Sequence, residues 1–178
     1  MKWFIASDIH GSEYYCKKML TAFEAEKADK LLLLGDILYH GPRNDLPKDY
    51  NPKAIIELLN TVKNKIVCVR GNCDSEVDQM VLEFPILSDY CILCIDDLTI
   101  YATHGHINNK LPALTDKDIL LTGHTHVPAH TKENNYTYIN PGSVSIPKEN
   151  SHHGYILLEN KKFLWKDFDN NIILSAEY

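Results

Sequence analysis

The sequence predicts an α/β fold in which two packed β-sheets have helices on their outer sides. The first third of the chain alternates strand and helix patterns, which is typical of parallel strands joined by right-handed crossovers. The last two thirds contain mainly short strands separated by turn signals. A chain of 178 residues has the length of one domain. We therefore expect a single domain over residues 1–178, with an α/β half stacked on a β-rich half.

The elements of the first third follow from apolar runs and helix caps. Four consecutive leucines ended by Gly35 suit a strand that is covered on both faces. Ser12 can cap one helix, and Asn51-Pro52 can begin a second. Apolar residues recur at helical spacing after both caps. The predicted order is a strand at 3–6, a helix after Ser12, a strand at 31–34, a helix after Asn51 and a strand at 66–69.

The β-rich part is predicted from apolar runs on either side of turn residues. Asp96-Asp97, Asn134-Asn135 and Asn160-Lys161 each separate two such runs. The predicted strands are 91–95, 98–103, 119–122, two runs within 131–138, 155–158, 163–168 and 172–175. Cys91 and Cys94 have the spacing of a redox motif, but residues three apart in a strand face opposite ways. We therefore expect two buried packing residues rather than a redox pair.

Composition and charge argue against several classes of protein. The net charge is −6, and the lysines and arginines are scattered among acids, so a long nucleic acid is an unfavourable partner. No apolar run approaches the roughly 18 residues of a transmembrane helix, and the N-terminus lacks a signal-peptide pattern. The odd number of cysteines, five, favours free thiols. We expect a cytoplasmic protein that has no membrane partner.

Polar residues cluster directly after five of the predicted strands. The carboxyl ends of parallel strands meet at one edge of a sheet, where ligands bind. These clusters would therefore bring aspartates, an asparagine and several histidines into one crevice. The clusters are Asp8-Ile9-His10, Gly35-Asp36, Gly71-Asn72-Cys73-Asp74, His104-Gly105-His106 and Gly123-His124-Thr125-His126.

The residue types in these clusters form a metal-ligand set. A single aspartate at a strand end is usually a turn or helix cap, and a single histidine there is usually solvated. Here, however, five of the nine histidines lie in the clusters. Imidazole, carboxylate and amide oxygen all bind divalent metals. Asp8-x-His10 and His124-x-His126 each put two ligands on the same side of an extended segment. We therefore predict a metal site.

Taken in order, the five segments resemble the motifs of the calcineurin-like metallophosphoesterase superfamily. The family pattern reads D-x-H, G-D, G-N-H-[DE], a later His, and G-H-x-H. Residues 140–143, which read Asn-Pro-Gly-Ser, and residues 39–44 are similar to the small bacterial phosphodiesterase branch. The resemblance implies the four-layer α/β/β/α fold of that family, in which two β-sheets are sandwiched between helices.

The resemblance also implies two divalent metal ions that share one aspartate. The first ion would take Asp8, His10, Asp36 and His126. The second ion would take Asp36, Asn72, His104 and His124. Manganese is the expected metal, although nitrogen and oxygen ligands also suit zinc, iron, cobalt or nickel. The implied activity is hydrolysis of small or aryl phosphodiesters by a hydroxide that bridges both ions.

The candidate catalytic residues are Asn72, Cys73, Asp74 and His104, together with Arg43 in a Gly-Pro-rich loop. Most relatives have a histidine at the position of Cys73, and that histidine protonates the leaving group or steadies the transition state. We hypothesise that the cysteine biases hydrolysis towards good leaving groups such as aryl oxides. The guanidinium of Arg43 can hold a phosphate oxygen.

Other functions stay open at the level of sequence. The same two metals could bind a phosphomonoester. A eukaryotic retromer subunit shares the fold and works as a protein-binding scaffold with an altered metal site, whereas every ligand position is filled here. A nuclease is disfavoured because the chain has no basic stripe. Exposed β-rich faces would allow a homo-oligomer, but no sequence feature requires one.

Overall fold

A computed structural model describes residues 1–107 and 111–178 of the chain. The described helices are α1 (Glu13–Ala25), α2 (Pro52–Asn60) and α3 (Glu76–Gln79), with a short 3₁₀ helix at Lys63–Lys65. The strands up to the middle of the chain are β1 (Trp3–Ala6), β2 (Lys30–Leu33), β3 (Ile66–Cys68), β4 (Tyr90–Ile95) and β5 (Leu98–Thr103). The later strands are β6 (Asp118–Leu121), β7 (Pro128–Lys132), β8 (Thr137–Pro141), β9 (Gly154–Glu159), β10 (Lys162–Asp167) and β11 (Ile172–Glu177).

Two mixed sheets contain these strands. The first sheet has the order β11-β10-β9-β1-β2-β3, and the second has the order β4-β5-β6-β8-β7. Strands β1, β2 and β3 are parallel, as are β5, β6 and β8. The prediction of two packed sheets flanked by helices is confirmed.

The two longer helices begin where the sequence predicts. Ser12 Oγ accepts a hydrogen bond from the amide of Tyr15, and Asn51 Oδ1 accepts one from the amide of Ala54. Pro52 occupies the first turn of α2, where a missing N–H costs nothing. Local capping chemistry therefore sets both starts.

The core consists of two apolar layers on either side of the first sheet. Side chains alternate along each strand, so Phe4 and Ala6 pack with the helices while Trp3 and Ile5 face the second sheet. The layer between the sheets includes Trp165. Both sheets therefore stack closely enough to bring their strand ends to a common edge.

Two details differ from the prediction. Only Cys91 packs against the layer between the sheets, whereas Cys94 is exposed because the alternation of β4 turns it outwards. The hairpin predicted within 131–138 consists of longer strands, since β7 begins at Pro128 and β8 continues to Pro141 in antiparallel pairing. Among residues 1–107 and 111–178, no helix is both long and apolar enough to cross a membrane.

Candidate metal centre

The predicted metal ligands lie in loops that follow five strands. Asp8 and His10 follow β1, Asp36 follows β2, Asn72 follows β3, His104 follows β5, and His124 and His126 follow β6. Each of these strands has a parallel neighbour, so the carboxyl ends of each sheet point towards one edge. The stacked sheets bring the two edges together and form one site.

Five of these residues have left-handed backbone conformations, which side chains other than glycine rarely adopt. The φ angles lie between 48° and 67°. The residues are Asp8, His10, Asp36, His124 and His126. Such strain persists only where the surroundings hold it, and it collects at functional sites.

Two glycines of the motifs are required by close approach of the chain to the site. A Cβ at Gly71 would lie 2.1 Å from Asp36 Oδ1, and a Cβ at Gly123 would lie 1.9 Å from Ser7 Oγ. Both distances are far below van der Waals contact. The glycines of the G-N and G-H segments therefore allow the strand-end loops to converge.

The first group of ligand atoms consists of two imidazoles and a carboxylate. His10 Nε2 lies 3.2 Å from His126 Nε2, and Asp8 Oδ1 lies 3.5 Å from the first nitrogen and 3.3 Å from the second. His10 Nδ1–H donates to the carbonyl of Tyr39 at 2.8 Å, and His126 Nδ1–H donates to the carbonyl of Ile146 at 2.8 Å. These bonds leave each Nε2 directed towards Asp8, which is the arrangement that a histidine ligand needs.

The second group lies beside the first. His104 Nε2 is 3.0 Å from Asn72 Oδ1 and 3.2 Å from His124 Nδ1. His104 Nδ1–H donates to the carbonyl of Leu34 at 2.6 Å, which again directs the lone pair of Nε2 into the site.

Asp36 connects the two groups. Its Oδ2 lies 3.5 Å from His10 Nε2 and 3.4 Å from His104 Nε2. Its Oδ1 accepts a hydrogen bond from the amide of Cys73 at 2.8 Å, so the other oxygen stays directed between the histidines. Asp36 therefore has the position expected of a ligand shared by two ions.

Charge at the site fits a divalent metal. Burial acts to raise the pKa of Asp8, but His10 and His126 hold it well below its usual range. Its Oδ1 is buried without a hydrogen-bond partner. Burial acts to lower the pKa of His104, but Asp36 and Asp8 raise it to about 9. Buried carboxylates facing imidazole lone pairs call for a shared cation.

The other candidate catalytic residues surround the same site. Arg43 and Cys73 line a cavity of about 300 Å³ together with metal-ligand candidates. Burial, and then Asp36, raise the pKa of the Cys73 thiol to about 12. Asp74 is buried, and its carboxylate accepts hydrogen bonds from the amides of Asp36, Ile37 and Gly71 at 2.7–2.9 Å. Asp74 is thus placed to hold Asp36 in position.

Sequence reasoning from the clusters missed several residues at the site. Lys148 lines the same cavity as Arg43 and adds a second cation to it. Buried Asn140 donates from Nδ2 to the carbonyl of Gly123 at 2.7 Å. Ser143 Oγ donates to the carbonyl of Asp8 at 2.9 Å. The Asn-Pro-Gly-Ser segment was visible in the sequence, but its contacts to two distant loops were not.

Comparison with known proteins agrees with this geometry. Residues 1–162 match the family model described as the calcineurin-like phosphoesterase superfamily domain. The chain belongs to the calcineurin-like phosphoesterase superfamily. Phosphodiesterase YfcE of Escherichia coli strain K12 is 46% identical over 162 residues, which cover 90% of this chain and 88% of YfcE.

Solved structures of the superfamily support the same assignment. The structure of the YfcE phosphoesterase from E. coli superimposes with a TM-score of 0.93 at 43% identity and covers 99% of this chain and 98% of that one. Vacuolar Protein Sorting 29 from Cryptosporidium parvum has a TM-score of 0.62 at 19% identity, with 99% and 97% coverage. The second likeness concerns the fold alone.

Proposed function

We propose that this protein hydrolyses small phosphodiesters, aryl diesters among them, with the help of two divalent metal ions. The observation that carries the proposal is the convergence of three imidazoles, those of His10, His104 and His126, on the carboxylates of Asp8 and Asp36. The E. coli relative that is 46% identical is named a phosphodiesterase. Manganese as the metal, the cytoplasm as the compartment and a single domain over residues 1–178 are further expectations from the sequence.

The proposed ligands divide into two sets that meet at one carboxylate. One ion would be held by Asp8, His10, Asp36 and His126, and the other by Asp36, Asn72, His104 and His124. When bound, the two ions supply an activated water and neutralise the phosphate oxygens. The backbone carbonyls that accept from Nδ1 fix the ring orientations before any ligand arrives.

The charge of the proposed metal site favours an anionic ester. Two dications less the charges of Asp8 and Asp36 leave two positive charges, which one hydroxide and one singly charged diester would balance. Arg43 and Lys148 line the same cavity and add two positive charges to it. We propose that both side chains hold the phosphate group while it reacts.

The test is hydrolysis of bis(p-nitrophenyl) phosphate by metal-stripped protein before and after manganese is added. We expect activity to return with manganese and to be absent from Asp36→Asn and His124→Ala. Asp169→Asn and His130→Ala, exposed residues outside the site, serve as matched controls and should behave like wild type. Turnover of p-nitrophenyl phosphate in preference to the diester would instead indicate a monoesterase. Manganese binding without turnover of either ester would favour a scaffold.

We further propose that Cys73 biases hydrolysis towards diesters with good leaving groups. Cys73 lines the cavity, and it stands where the family motif that this sequence resembles, G-N-H-[DE], has its histidine. A thiol is a much weaker hydrogen-bond donor than an imidazolium, so it helps a departing alkoxide less. Cys73→His should raise the rate on alkyl diesters more than the rate on aryl diesters. Equal rates on both ester types in both proteins would contradict the proposal.

A further inference from the structure

A second cavity adjoins the metal centre. It has a volume of about 380 Å³, which lies within the range of small-molecule sites. His124 lines both this cavity and the cavity that contains Arg43 and Lys148. His124 therefore borders both cavities, so the second cavity begins beside a proposed metal ligand.

The chemistry of the second cavity is opposite to that of the first. Its walls include the side chains of Leu111, Leu114, Leu120, Tyr136 and Tyr138. Among the described lining residues none is a lysine, arginine, aspartate or glutamate. A charged phosphate would lose its hydration there without compensation, whereas an apolar group would be favoured.

The alternation of two neighbouring strands explains why this apolar surface exists. In β6 and β8, Ile119, Leu121 and Ile139 face the layer between the sheets. Leu120 and Tyr138 therefore point to the outer face of the second sheet. Leu111 and Leu114, in the segment before β6, lie against that face and form the other wall.

Two tyrosine rings indicate the shape of the group that would bind. The hydroxyl of Tyr138 accepts hydrogen bonds from Thr122 Oγ1 at 2.9 Å and from Asn140 Nδ2 at 3.1 Å. These two bonds fix the orientation of the Tyr138 ring. Tyr136 is half-buried on the same wall. Fixed aromatic faces favour a flat aromatic partner through stacked or edge contacts.

We infer that the cavity lined by Tyr136, Tyr138 and Leu114 binds an aromatic ester arm of the substrate while the phosphate occupies the metal cavity. The inference rests on the proposed function and names its substrate class, which is a phosphodiester with at least one aromatic arm. Affinity for such a diester would then depend on residues that contact neither metal nor phosphate.

The test compares two phosphodiesters that differ only in their arms. Diphenyl phosphate and dimethyl phosphate are titrated into the manganese-loaded protein by calorimetry, and chromatography of each mixture checks that the ester is intact, so that the heat reports binding alone. We expect diphenyl phosphate to bind wild type more tightly. Tyr136→Ala and Leu114→Ala should each weaken its binding by about tenfold and leave dimethyl phosphate unchanged.

A matched control separates the cavity from a general effect on the sheet. Tyr90→Ala removes a partly exposed tyrosine from β4 of the same sheet and should leave both affinities as in wild type. Equal affinity of wild type for both phosphates, or parallel losses for both in Tyr136→Ala and Leu114→Ala, would overturn the inference. Selective binding of diphenyl phosphate without hydrolysis of any diester would keep the cavity assignment and refute the proposed function.

Discussion

Replacing Asn140 by alanine tests whether the end of β8 holds the histidine turn in place. The Asn140 side chain is fully buried. Its Nδ2 donates to the carbonyl of Gly123 at 2.7 Å, and its Oδ1 accepts from the amide of Gly142 at 2.8 Å. Gly123 precedes His124, whose backbone is left-handed with φ of 67°. The substitution therefore removes the hydrogen bond that holds the strained turn at Gly123 and His124, and it leaves every proposed ligand side chain in place.

The magnitude follows from the two backbone groups that lose their partner. A buried polar group left unpaired costs about 1–3 kcal/mol, so the free energy of unfolding should fall by about 4 kcal/mol. For a chain of this length the melting temperature should then fall by about 8–16 °C. Because the turn carries two proposed ligands, manganese affinity should fall by about 10- to 100-fold, as is usual when a residue that orients a ligand is lost.

Thermal denaturation followed by circular dichroism and calorimetric titration of manganese measure the two effects. Asn171→Ala is the control, because Asn171 is exposed and its side chain donates to Asp167 Oδ2 at the surface, so both quantities should stay near wild type. A fall in melting temperature of less than about 4 °C corresponds to the loss of no more than about one hydrogen bond. Such a small fall would refute the reasoning. Unchanged manganese affinity in a destabilised Asn140→Ala would restrict the role of Asn140 to folding.

Three further predictions follow from the site and its surroundings. Arg43→Gln and Lys148→Gln should each raise KM for bis(p-nitrophenyl) phosphate by about tenfold in steady-state assays, because each removes a charge-assisted contact to phosphate. Manganese at about 100 times its Kd should stabilise the fold by about 2.7 kcal/mol and raise the melting temperature by about 5–11 °C. In Asp36→Asn most of this rise in melting temperature should be lost. Acidification should destabilise the protein through His153, which stacks on Tyr15 at 3.9 Å and whose pKa burial lowers from 6.5. The stability due to its neutral ring is present above pH 6.5 and declines as the pH falls below it, so melting temperatures between pH 7.5 and 5 should fall less in His153→Phe than in wild type.

Each of these predictions has its own control. Lys162→Gln changes an exposed lysine of β10 and should leave KM unaltered, so an equal effect there would contradict a local role of the two cations. A chelator should reverse the shift caused by manganese, and an undiminished shift in Asp36→Asn would contradict the shared ligand. If the melting temperatures of wild type and His153→Phe fall equally between pH 7.5 and 5, His153 is excluded as the cause of the acid destabilisation.

Much of the fold could be predicted because its determinants are local. Helix starts at Ser12 and Asn51 depend on side chains that bond to amides three residues ahead. The buried strands show as short apolar runs, and the ligand motifs stand directly after them. Short-range chemistry of this kind is readable from the order of residues alone.

The partners of each ligand could not be predicted in this way. His10 and His126 are separated by 116 positions, yet their Nε2 atoms lie 3.2 Å apart. Which ring nitrogen faces the site depends on carbonyls such as that of Tyr39, which only the folded chain brings into reach. The pattern of residues therefore indicates a metal site, and the tertiary structure decides which nitrogen atoms and which carboxylate oxygens face one another there.

The sequence by itself determined the strands and the helix caps and indicated the proposed ligand residues, because these depend on spacing within one segment. Only the tertiary structure decided that β9, β10 and β11 return to extend the first sheet beside β1. It also decided that Lys148 joins Arg43 and that an apolar cavity adjoins His124. These features arise where segments far apart in the chain are packed together, and no local pattern encodes such contacts.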